Sequence, residues 1–300
     1  MATISAALVK QLRDATDASM GECKKALTEC DGDLKKAAEY LQIKGIAKAA
    51  KRGARKTSEG YIGMYRAEDG KGAALIEVSC ETDFVARTDN FRSFCNDLAR
   101  DLYAINPAAD ANLLDLVING EKLEVKRGNL SASTGENIRI GRFVRYTTDA
   151  GLVSTYRHHD GKGAVAVKVS CGKAESAAND TFKDFCSELV LHIFACNPIA
   201  VSKDNIDASL VADQRNVAKQ KAAESGKPEA MLDRIAEGML NNWFAEVALL
   251  NQMWQGDGKE SAELKLNQCA KAINDKLSID CFSRIVIGEG VVGEEEEAAE

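Results

Sequence analysis

The sequence predicts an α+β protein with three parts: an N-terminal three-helix module, a duplicated α+β core and a protruding antiparallel helical hairpin. Three observations support this prediction. Capped helical patterns fill the first 45 residues, a repeat recurs at a fixed offset of 91 residues, and a long helical pattern is interrupted once by Gly226-Lys-Pro228. A chain of this length has room for about two domains.

Residues 1–45 are predicted to form three short helices. Polar residues stand where N-terminal caps are needed: Ser5, Ser19 with Glu22 three positions later, and Asp33. Apolar residues recur at steps of three and four, as a compact helical module requires: Leu8, Leu12, Met20, Cys23, Leu27, Leu34, Ala38 and Leu41. We expect the third helix to end near Gly45. The module resembles the ubiquitin-associated (UBA-like) type of bundle, whose usual role is to dock another protein.

Residues 46–59 are predicted to be a basic linker. Between Lys44 and Lys56 the chain has six basic residues and no acidic one, although the whole protein carries 39 Lys and Arg against 46 Asp and Glu. Direct nucleic-acid binding is not expected, because it needs clustered cations on the body of a protein. The basic run is either a solvated linker or a contact for phosphate or for an acidic partner.

An internal repeat follows the linker. Over residues 60–107, 20 of 48 positions match the residue 91 positions later without a gap. The matching segments include Gly70-Lys-Gly-Ala73 with Gly161-Lys-Gly-Ala164, Val78-Ser-Cys80 with Val169-Ser-Cys171, and Asn106-Pro107 with Asn197-Pro198. Such self-similarity indicates a duplicated structural unit.

Each copy of the repeat is predicted to be a β-hairpin followed by a helix. In the first copy, β-rich runs surround an Asp-Gly-Lys-Gly turn, and helical spacing follows at Phe91, Phe94, Cys95, Leu98 and Leu102. A two-stranded hairpin cannot bury its face alone. We therefore expect two related subdomains in contact, the first with its connection at residues 60–150 and the first part of the second at residues 151–205.

Residues 206–254 are predicted to form the helical hairpin. Its apolar positions recur at heptad-like steps: Leu210, Val211 and Val217 facing Met231, Ile235, Met239, Trp243 and Phe244. A C-terminal helix and strand are expected within residues 255–291. The acidic tail, residues 292–300, is expected to be disordered.

One segment breaks the repeat. After the shared Val-Ser-Cys, the first copy has Glu81-Thr-Asp-Phe-Val-Ala-Arg87, and the second has Gly172-Lys-Ala-Glu-Ser-Ala-Ala178. Residues that serve only the fold should recur at the offset, whereas residues that serve one binding event need not. Phe84, replaced by Glu175, is therefore either a core plug or an exposed anchor, and its absence from the second copy favours the anchor.

Composition excludes several classes of protein. No apolar run approaches the ~20 residues of a membrane helix, and the N-terminus lacks a signal or transit pattern, so we expect a cytoplasmic protein. The nine cysteines include no C-x-x-C pair, and we expect them to be reduced and mostly buried. No catalytic residue, metal or cofactor is predicted. An enzyme that uses Cys80 or Cys171 as nucleophile is disfavoured, because these cysteines occupy equivalent repeat positions.

Two longer motifs carry a resemblance to a known family. Glu77-Val-Ser-Cys-Glu-Thr-Asp-Phe-Val-Ala-Arg87 is similar to the second signature of the elongation factor Ts family, and Leu12-Arg-Asp-Ala-Thr-Asp-Ala-Ser-Met-Gly-Glu-Cys-Lys-Lys-Ala-Leu27 is similar to the first. Further similarity occurs at Gly135-Glu-Asn-Ile138, Ser225-Gly-Lys-Pro228 and Gly288-Glu-Gly290. The resemblance therefore covers nearly the whole chain.

The resemblance implies a guanine-nucleotide exchange factor and not an enzyme. Its implied partner is the translational GTPase elongation factor Tu, in the GDP-bound and nucleotide-free states. The implied contact with the GTPase is made by Thr82, Asp83, Phe84 and Val85. Phe84 would fill an apolar pocket between partner helices, and Asp83 would disturb the groups that hold Mg²⁺.

The resemblance also implies secondary contacts with the GTPase. In the N-terminal module these involve Arg13, Met20, Cys23 and Lys24, although the apolar positions there are first of all core. In the second copy, His192 would face the GTPase, where the first copy has Asp101. A rival reading is an adaptor whose N-terminal module binds ubiquitin-like or nascent-chain partners, but that reading leaves residues 82–85 unexplained.

Overall fold

The structure is a computed structural model that describes residues 4–16, 18–224, 229–255 and 258–289. The predicted turn at Gly226-Lys-Pro228 and the acidic tail at residues 292–300 lie outside the described residues. None of the helices in the described ranges has the combination of length and apolar character that crossing a bilayer requires.

The described helices are α1 Ala6–Thr16, α2 Met20–Glu29, α3 Leu34–Arg52, α4 Asp83–Ala86, α5 Asp89–Ile105, α6 Leu123–Thr134, α7 Asp180–Cys196, α8 Ala208–Glu224, α9 Glu229–Val247 and α10 Ala262–Ala272. The described strands are β1 Glu59–Arg66, β2 Gly72–Cys80, β3 Val117–Ile118, β4 Glu121–Lys122, β5 Arg139–Thr147, β6 Gly151–Arg157, β7 Gly163–Cys171 and β8 Leu277–Val286. Helices and small antiparallel sheets thus combine, and the predicted α+β class is confirmed.

The first three helices begin at the predicted caps. The Ser5 hydroxyl accepts from the Leu8 N–H at 3.2 Å, the Ser19 hydroxyl accepts from the Glu22 N–H at 3.4 Å, and one Asp33 carboxylate oxygen accepts from two N–H groups at 3.0 Å. These contacts satisfy donors that have no partner within the helix. The helices enclose a small core of Val9, Leu12, Ala18, Cys23, Ala26, Leu27 and Ala37.

The expected end of α3 near Gly45 is wrong, because the helix continues to Arg52. Gly45 lies against α6, where a Cβ on it would stand 3.6 Å from the Ala132 Cβ, so this glycine serves close packing and not termination. The residues after it are rich in Ala and Lys, which favour helix. The first half of the predicted basic linker, residues 46–59, is therefore helical and ties α3 to the core.

The two halves of the core share a β-hairpin and a long helix in the same order. β1, β2 and α5 recur as β6, β7 and α7, and each helix ends at an Asn in the left-handed conformation, Asn106 or Asn197. Each hairpin gains a third antiparallel strand from further along the chain, which gives the sheet orders β1-β2-β5 and β6-β7-β8. Residues 106–138 lead to β5, whereas residues 197–276, which contain the helical hairpin, lead to β8.

The two sheets pack around an approximate twofold axis. The Ile62 N–H donates to the Gly161 carbonyl at 2.8 Å, and the Val153 N–H donates to the Gly70 carbonyl at 2.8 Å. Val153 is the repeat equivalent of Ile62, and Gly161 is the repeat equivalent of Gly70. The two bonds thus join equivalent donors and acceptors in both directions, as a self-complementary interface requires. Small and branched side chains fill this interface: Ile62, Leu75, Ala164, Ala166, Ile285 and Ile287.

The helices α8 and α9 pack around alanines and around part of the set that the heptad pattern predicted. Ala218, Ala222 and Ala236 are buried between the helices. Ile235 and Met239 pack against these alanines, and Val211, Trp243 and Phe244 pack at the base of the hairpin. The expectation that Leu210, Val217 and Met231 face the partner helix is wrong, because all three are exposed. Alanine side chains are small and allow two helices to approach closely.

Candidate functional site

The segment that breaks the repeat forms a single helical turn. Thr82 is its N-terminal cap, and α4 spans only four residues. Phe84 projects from this turn with 81% of its surface exposed, while Ala86 and Phe91 close the core below it. The core-plug alternative is therefore wrong, and Phe84 is an exposed aromatic residue.

Glu136 holds the base of this turn. Its Oε2 accepts from the Glu81 N–H at 2.9 Å and from the Thr82 N–H at 3.0 Å, and its Oε1 accepts from the Thr82 hydroxyl at 2.5 Å. Because the hydroxyl donates its only proton to Glu136, its lone pairs are free to accept from the Val85 N–H at 3.4 Å. The carboxylate thus orients the residue that caps α4.

A second set of contacts joins the same region to the end of α3. Glu81 Oε1 accepts from the Asn137 N–H at 2.6 Å and pairs with Arg55 at 3.3 Å. The Asn137 side-chain amide donates to the carbonyls of Gly53 at 3.4 Å and Arg55 at 2.9 Å. Residues 136 and 137 therefore hold both the turn and the segment that leaves the N-terminal helices.

The second copy uses an analogous acid without an exposed aromatic residue. Asp275 precedes β8 as Glu136 precedes β5, and it accepts from the Lys173 N–H at 2.9 Å and the Ser176 hydroxyl at 2.6 Å. The hydrogen bond from Ser176 holds the pKa of Asp275 below its ordinary value. Glu175, at the position of Phe84, is exposed. Both copies thus restrain this turn, but the first copy presents an apolar side chain from it.

Asp83 lies at the start of α4 and is half-buried. Its carboxylate pairs with Arg87 one turn later at 3.0 Å. The Arg87 side chain is well exposed and the Asp83 side chain is partly exposed, so solvent screening makes this pair a weak contributor to stability. The carboxylate can therefore exchange Arg87 for another partner at little cost.

The predicted contacts in the N-terminal helices divide into two groups. Arg13, Met20 and Lys24 are exposed, and Met20 shows 45% of its surface. Cys23 is fully buried in the core of the three helices, and this burial disfavours its predicted contact with a partner. Its sulfur donates to the Ala18 carbonyl at 3.5 Å, which identifies it as a packing residue.

His192 is buried in the second copy, with 1% of its surface exposed. This burial disfavours the predicted contact of His192 with the GTPase, which stays a prediction. Its ring stacks on Trp254 at 4.9 Å between centroids, its Nε2 bonds to Gln252 at 3.1 Å, and its Nδ1 accepts from the Gln255 N–H at 3.2 Å. Burial lowers the pKa of His192.

The neighbouring groups fix the tautomer of His192. Both amide protons of Gln252 are donated to the Cys196 and Glu246 carbonyls, at 3.1 and 2.7 Å, so its oxygen must accept from the histidine. Nε2 therefore carries the proton, and Nδ1 is the acceptor. A second proton on Nδ1 would oppose the Gln255 N–H, so the site holds a neutral imidazole.

The cysteines at equivalent repeat positions make equivalent contacts. Cys80 donates to the Thr82 carbonyl at 3.2 Å and Cys171 to the Lys173 carbonyl at 3.0 Å. Burial raises the pKa of Cys80 to about 12, with a further contribution from Glu136, and burial also raises the pKa of Cys171. A nucleophilic cysteine needs a thiolate, so these environments oppose the thiol-enzyme alternative.

Comparison with known proteins decides the family. The family model described as elongation factor TS matches residues 81–289. Relatives called elongation factor Ts from Nitratidesulfovibrio vulgaris and Bordetella petrii are 40% and 42% identical to the chain, over 97% of its length and over 98% and 94% of their own. A third, from Desulfovibrio desulfuricans, is 38% identical over 95% of the chain and 98% of its own length. The chain belongs to the elongation factor Ts family.

Membership in the elongation factor Ts family makes the protein a relative of translation elongation factors, and the matched region begins at Glu81, beside the α4 turn.

Sequence reasoning assigned no role to Glu136, although it lies in the Gly135-Glu-Asn-Ile138 motif. Asp275 was missed as well. Each of these acids lies just before the third strand of its copy, and this shared position could have revealed them. The third strands, however, are not separated by the 91-residue offset of the repeat. Within the described ranges, no cluster of three His, Cys, Asp or Glu side chains is arranged to hold a metal ion.

Proposed function

We propose that the protein is a guanine-nucleotide exchange factor that binds GDP-bound elongation factor Tu and promotes GDP release, so that GTP can bind. Membership in the elongation factor Ts family supports elongation factor Tu as the partner. The observation that carries the proposal is the exposed Phe84 on a turn that Glu136 restrains. A large aromatic side chain in water is unfavourable for an isolated protein and is typical of a binding hot spot.

Phe84 supplies binding energy in this mechanism. Its transfer into an apolar pocket between helices of the GTPase would contribute roughly 1.5–3 kcal/mol. The turn that carries it is already ordered by Thr82 and Glu136 in the free protein. Little conformational entropy is therefore lost on binding, which leaves more of the contact energy available to distort the partner.

Asp83 acts beside Phe84 on the magnesium site of the GTPase. Once Phe84 is in its pocket, the adjacent carboxylate replaces its exposed contact with Arg87 by hydrogen bonds near the groups that hold Mg²⁺. Loss of the cation leaves the phosphate charge of GDP uncompensated and weakens nucleotide binding. By thermodynamic linkage, bound factor and bound nucleotide lower each other's affinity for the GTPase by the same ratio. The factor therefore dissociates when GTP binds.

The N-terminal helices provide a second contact with the GTPase. Met20 offers an exposed apolar side chain on α2, and Arg13 on α1 and Lys24 on α2 offer exposed cations. Two separate contacts raise the affinity of the complex beyond that of either one alone. In this proposal the N-terminal helices secure the partner, and α4 performs the exchange without covalent chemistry.

The test uses elongation factor Tu loaded with fluorescent GDP and an excess of unlabelled GDP. The protein should accelerate the loss of fluorescence in proportion to its concentration and then saturate. It should also form a nucleotide-free complex that separates by size exclusion and that added GDP dissolves. A complex that forms without any acceleration of GDP release would favour the adaptor reading instead.

A further inference from the structure

We propose that Glu136 is a positioning residue for nucleotide exchange, because its carboxylate fixes the turn that presents Asp83 and Phe84. This inference rests on the proposed function. It adds a residue that touches neither the nucleotide nor the partner and acts only through α4. Three hydrogen bonds from Glu81 and Thr82 converge on this one side chain.

The α4 turn cannot maintain its own geometry. A helix of four residues closes a single turn and lies below the length at which helices are stable in isolation. Phe84 makes no compensating core contact, because most of its surface faces solvent. Ala86 is buried in the core and Val85 packs against it, so one side of α4 is held there. The start of the turn, which carries Asp83 and Phe84, is held by its N-terminal cap, and Glu136 aims the cap hydroxyl of Thr82.

Glu136 and Glu81 form a reciprocal clamp. The Glu81 N–H donates to the Glu136 carboxylate, and the Glu81 carboxylate accepts from the next backbone N–H, that of Asn137. The Glu136 carbonyl accepts from the Ser131 hydroxyl at 2.5 Å, which anchors the clamp to α6. These bonds join the backbone of residues 81–82 to that of residues 136–137. Displacement of either carboxylate would weaken this connection, so the two glutamates act together.

The clamp also connects α4 to the N-terminal helices. The Arg52 guanidinium at the end of α3 donates to the Ser131 carbonyl at 2.7 Å, and Asn137 holds the Gly53 and Arg55 carbonyls just beyond it. Residues 136 and 137, just before β5, therefore connect the α4 turn to the N-terminal helices, and these two regions carry the two proposed GTPase contacts. This geometry fixes the position of Phe84 relative to the helices that secure the partner.

The second copy supplies a matched control for this inference. Asp275 restrains the equivalent turn through Lys173 and Ser176, but no aromatic residue projects from it. Removal of either acid should destabilise the fold to a similar degree, because each frees a strand-to-helix turn. Only the loss of Glu136 should affect exchange.

The experiment compares Glu136→Ala, Asp275→Ala and Phe84→Ala with both double variants, by stimulated GDP release and thermal melts. We expect Glu136→Ala to lower kcat/KM for release by about tenfold, as misplacement of a reacting element commonly does. In the Phe84→Ala background, Glu136→Ala should lower the rate by clearly less than about tenfold, because only Asp83 is left to be misplaced, whereas independent effects would multiply. Asp275→Ala should leave the rate within about twofold in either background.

Two further measurements make the outcome decisive. Amide hydrogen exchange over residues 82–88 should be faster in Glu136→Ala and unchanged in Asp275→Ala, a result that requires no partner. If Glu136→Ala does not fold, Glu136→Gln keeps the side-chain volume and should show the same coupling to Phe84. The inference is overturned if the Glu136 and Phe84 effects multiply, or if Glu136→Ala exchanges normally. A wild-type protein that fails to accelerate GDP release overturns the proposed function itself.

Discussion

The aromatic ring of Tyr61 lies directly against the backbone of Gly161, across the boundary between the two copies of the repeat. A Cβ at Gly161 would stand 2.2 Å from Cδ2 of the ring and 2.3 Å from Cε2. The same glycine has φ +79°, in the region that side chains disfavour. Close packing and backbone conformation therefore both require glycine at this position.

The first prediction separates these two requirements. Gly161→Ala should destabilise the protein more than Gly120→Ala, because Gly120 has φ +84° but nothing within 4 Å of its Cβ position. The conformational cost is roughly 1–2 kcal/mol at both sites, and overlap with Tyr61 should add about 1–3 kcal/mol at Gly161. Urea unfolding of both variants measures the difference. Equal losses would show that the Tyr61 ring can move aside freely.

The second prediction concerns Phe84. Phe84→Ala should leave the free energy of unfolding within about 0.5 kcal/mol of wild type, because the side chain is exposed. The affinity of the Phe84→Ala variant for nucleotide-free elongation factor Tu should fall about ten- to a hundredfold. This loss corresponds to the free energy gained when a phenylalanine side chain is buried. Glu175→Ala, at the same position of the second copy, is the control for both measurements and should change neither.

The third prediction assigns Asp83 to release and not to binding. Asp83→Ala should lower the maximal rate of GDP release more than it lowers affinity for the nucleotide-free GTPase, because the carboxylate acts at the magnesium site. Arg87→Ala is the matched control, since it removes the same ion pair but leaves the Asp83 carboxylate in place. If the two variants behaved alike, the ion pair within α4, and not the carboxylate, would be the important feature.

The fourth prediction is that Cys80 and Cys171 are structural. Replacing either with Ala should cost on the order of 1 kcal/mol of stability, without a selective loss of GDP release. Because burial raises the pKa of Cys80 to about 12, its thiol should react with iodoacetamide only when the protein unfolds. Rapid labelling of Cys80 in the native protein would contradict this assignment.

The fifth prediction follows from the buried neutral imidazole of His192. Burial lowers the pKa of His192, so the unfolded chain binds a proton more readily than the folded chain below the ordinary value of about 6.5. The stability that the neutral ring contributes is fully present above about pH 6.5 and is lost as the pH falls through the folded pKa. Thermal melts between pH 8 and pH 5 should therefore show a decrease that His192→Gln reduces.

Much of the fold could be predicted because its determinants are local. The caps at Ser5, Ser19 and Asp33 each act within three residues, and the repeat offset compares equivalent positions directly. The end of α3 could not be predicted in this way. The Ala and Lys residues after Gly45 favour helix, but Gly45 itself reads as a stop, and its packing against α6 is a tertiary contact.

The candidate site was predicted in part for the same reason. Phe84 stood out because the second copy has Glu175 at its position, a difference that is visible in the sequence. Glu136 and Asp275 did not stand out, because their strands join the two sheets after connections of different length. The burial of His192 was also hidden, since it depends on Trp254 and Gln252 folding back over α7.

The helical hairpin leaves and rejoins the second copy at one point. Ala200 and Ala248 form a parallel β-bridge at its base, with backbone bonds of 2.9 Å from Ile199 to Val247 and from Leu249 to Ala200. The intervening chain can thus be shortened, extended or exchanged without changing the path of the polypeptide on either side. Such a base would allow a single in-frame deletion or insertion in the gene to remodel this projection while the duplicated scaffold is inherited intact.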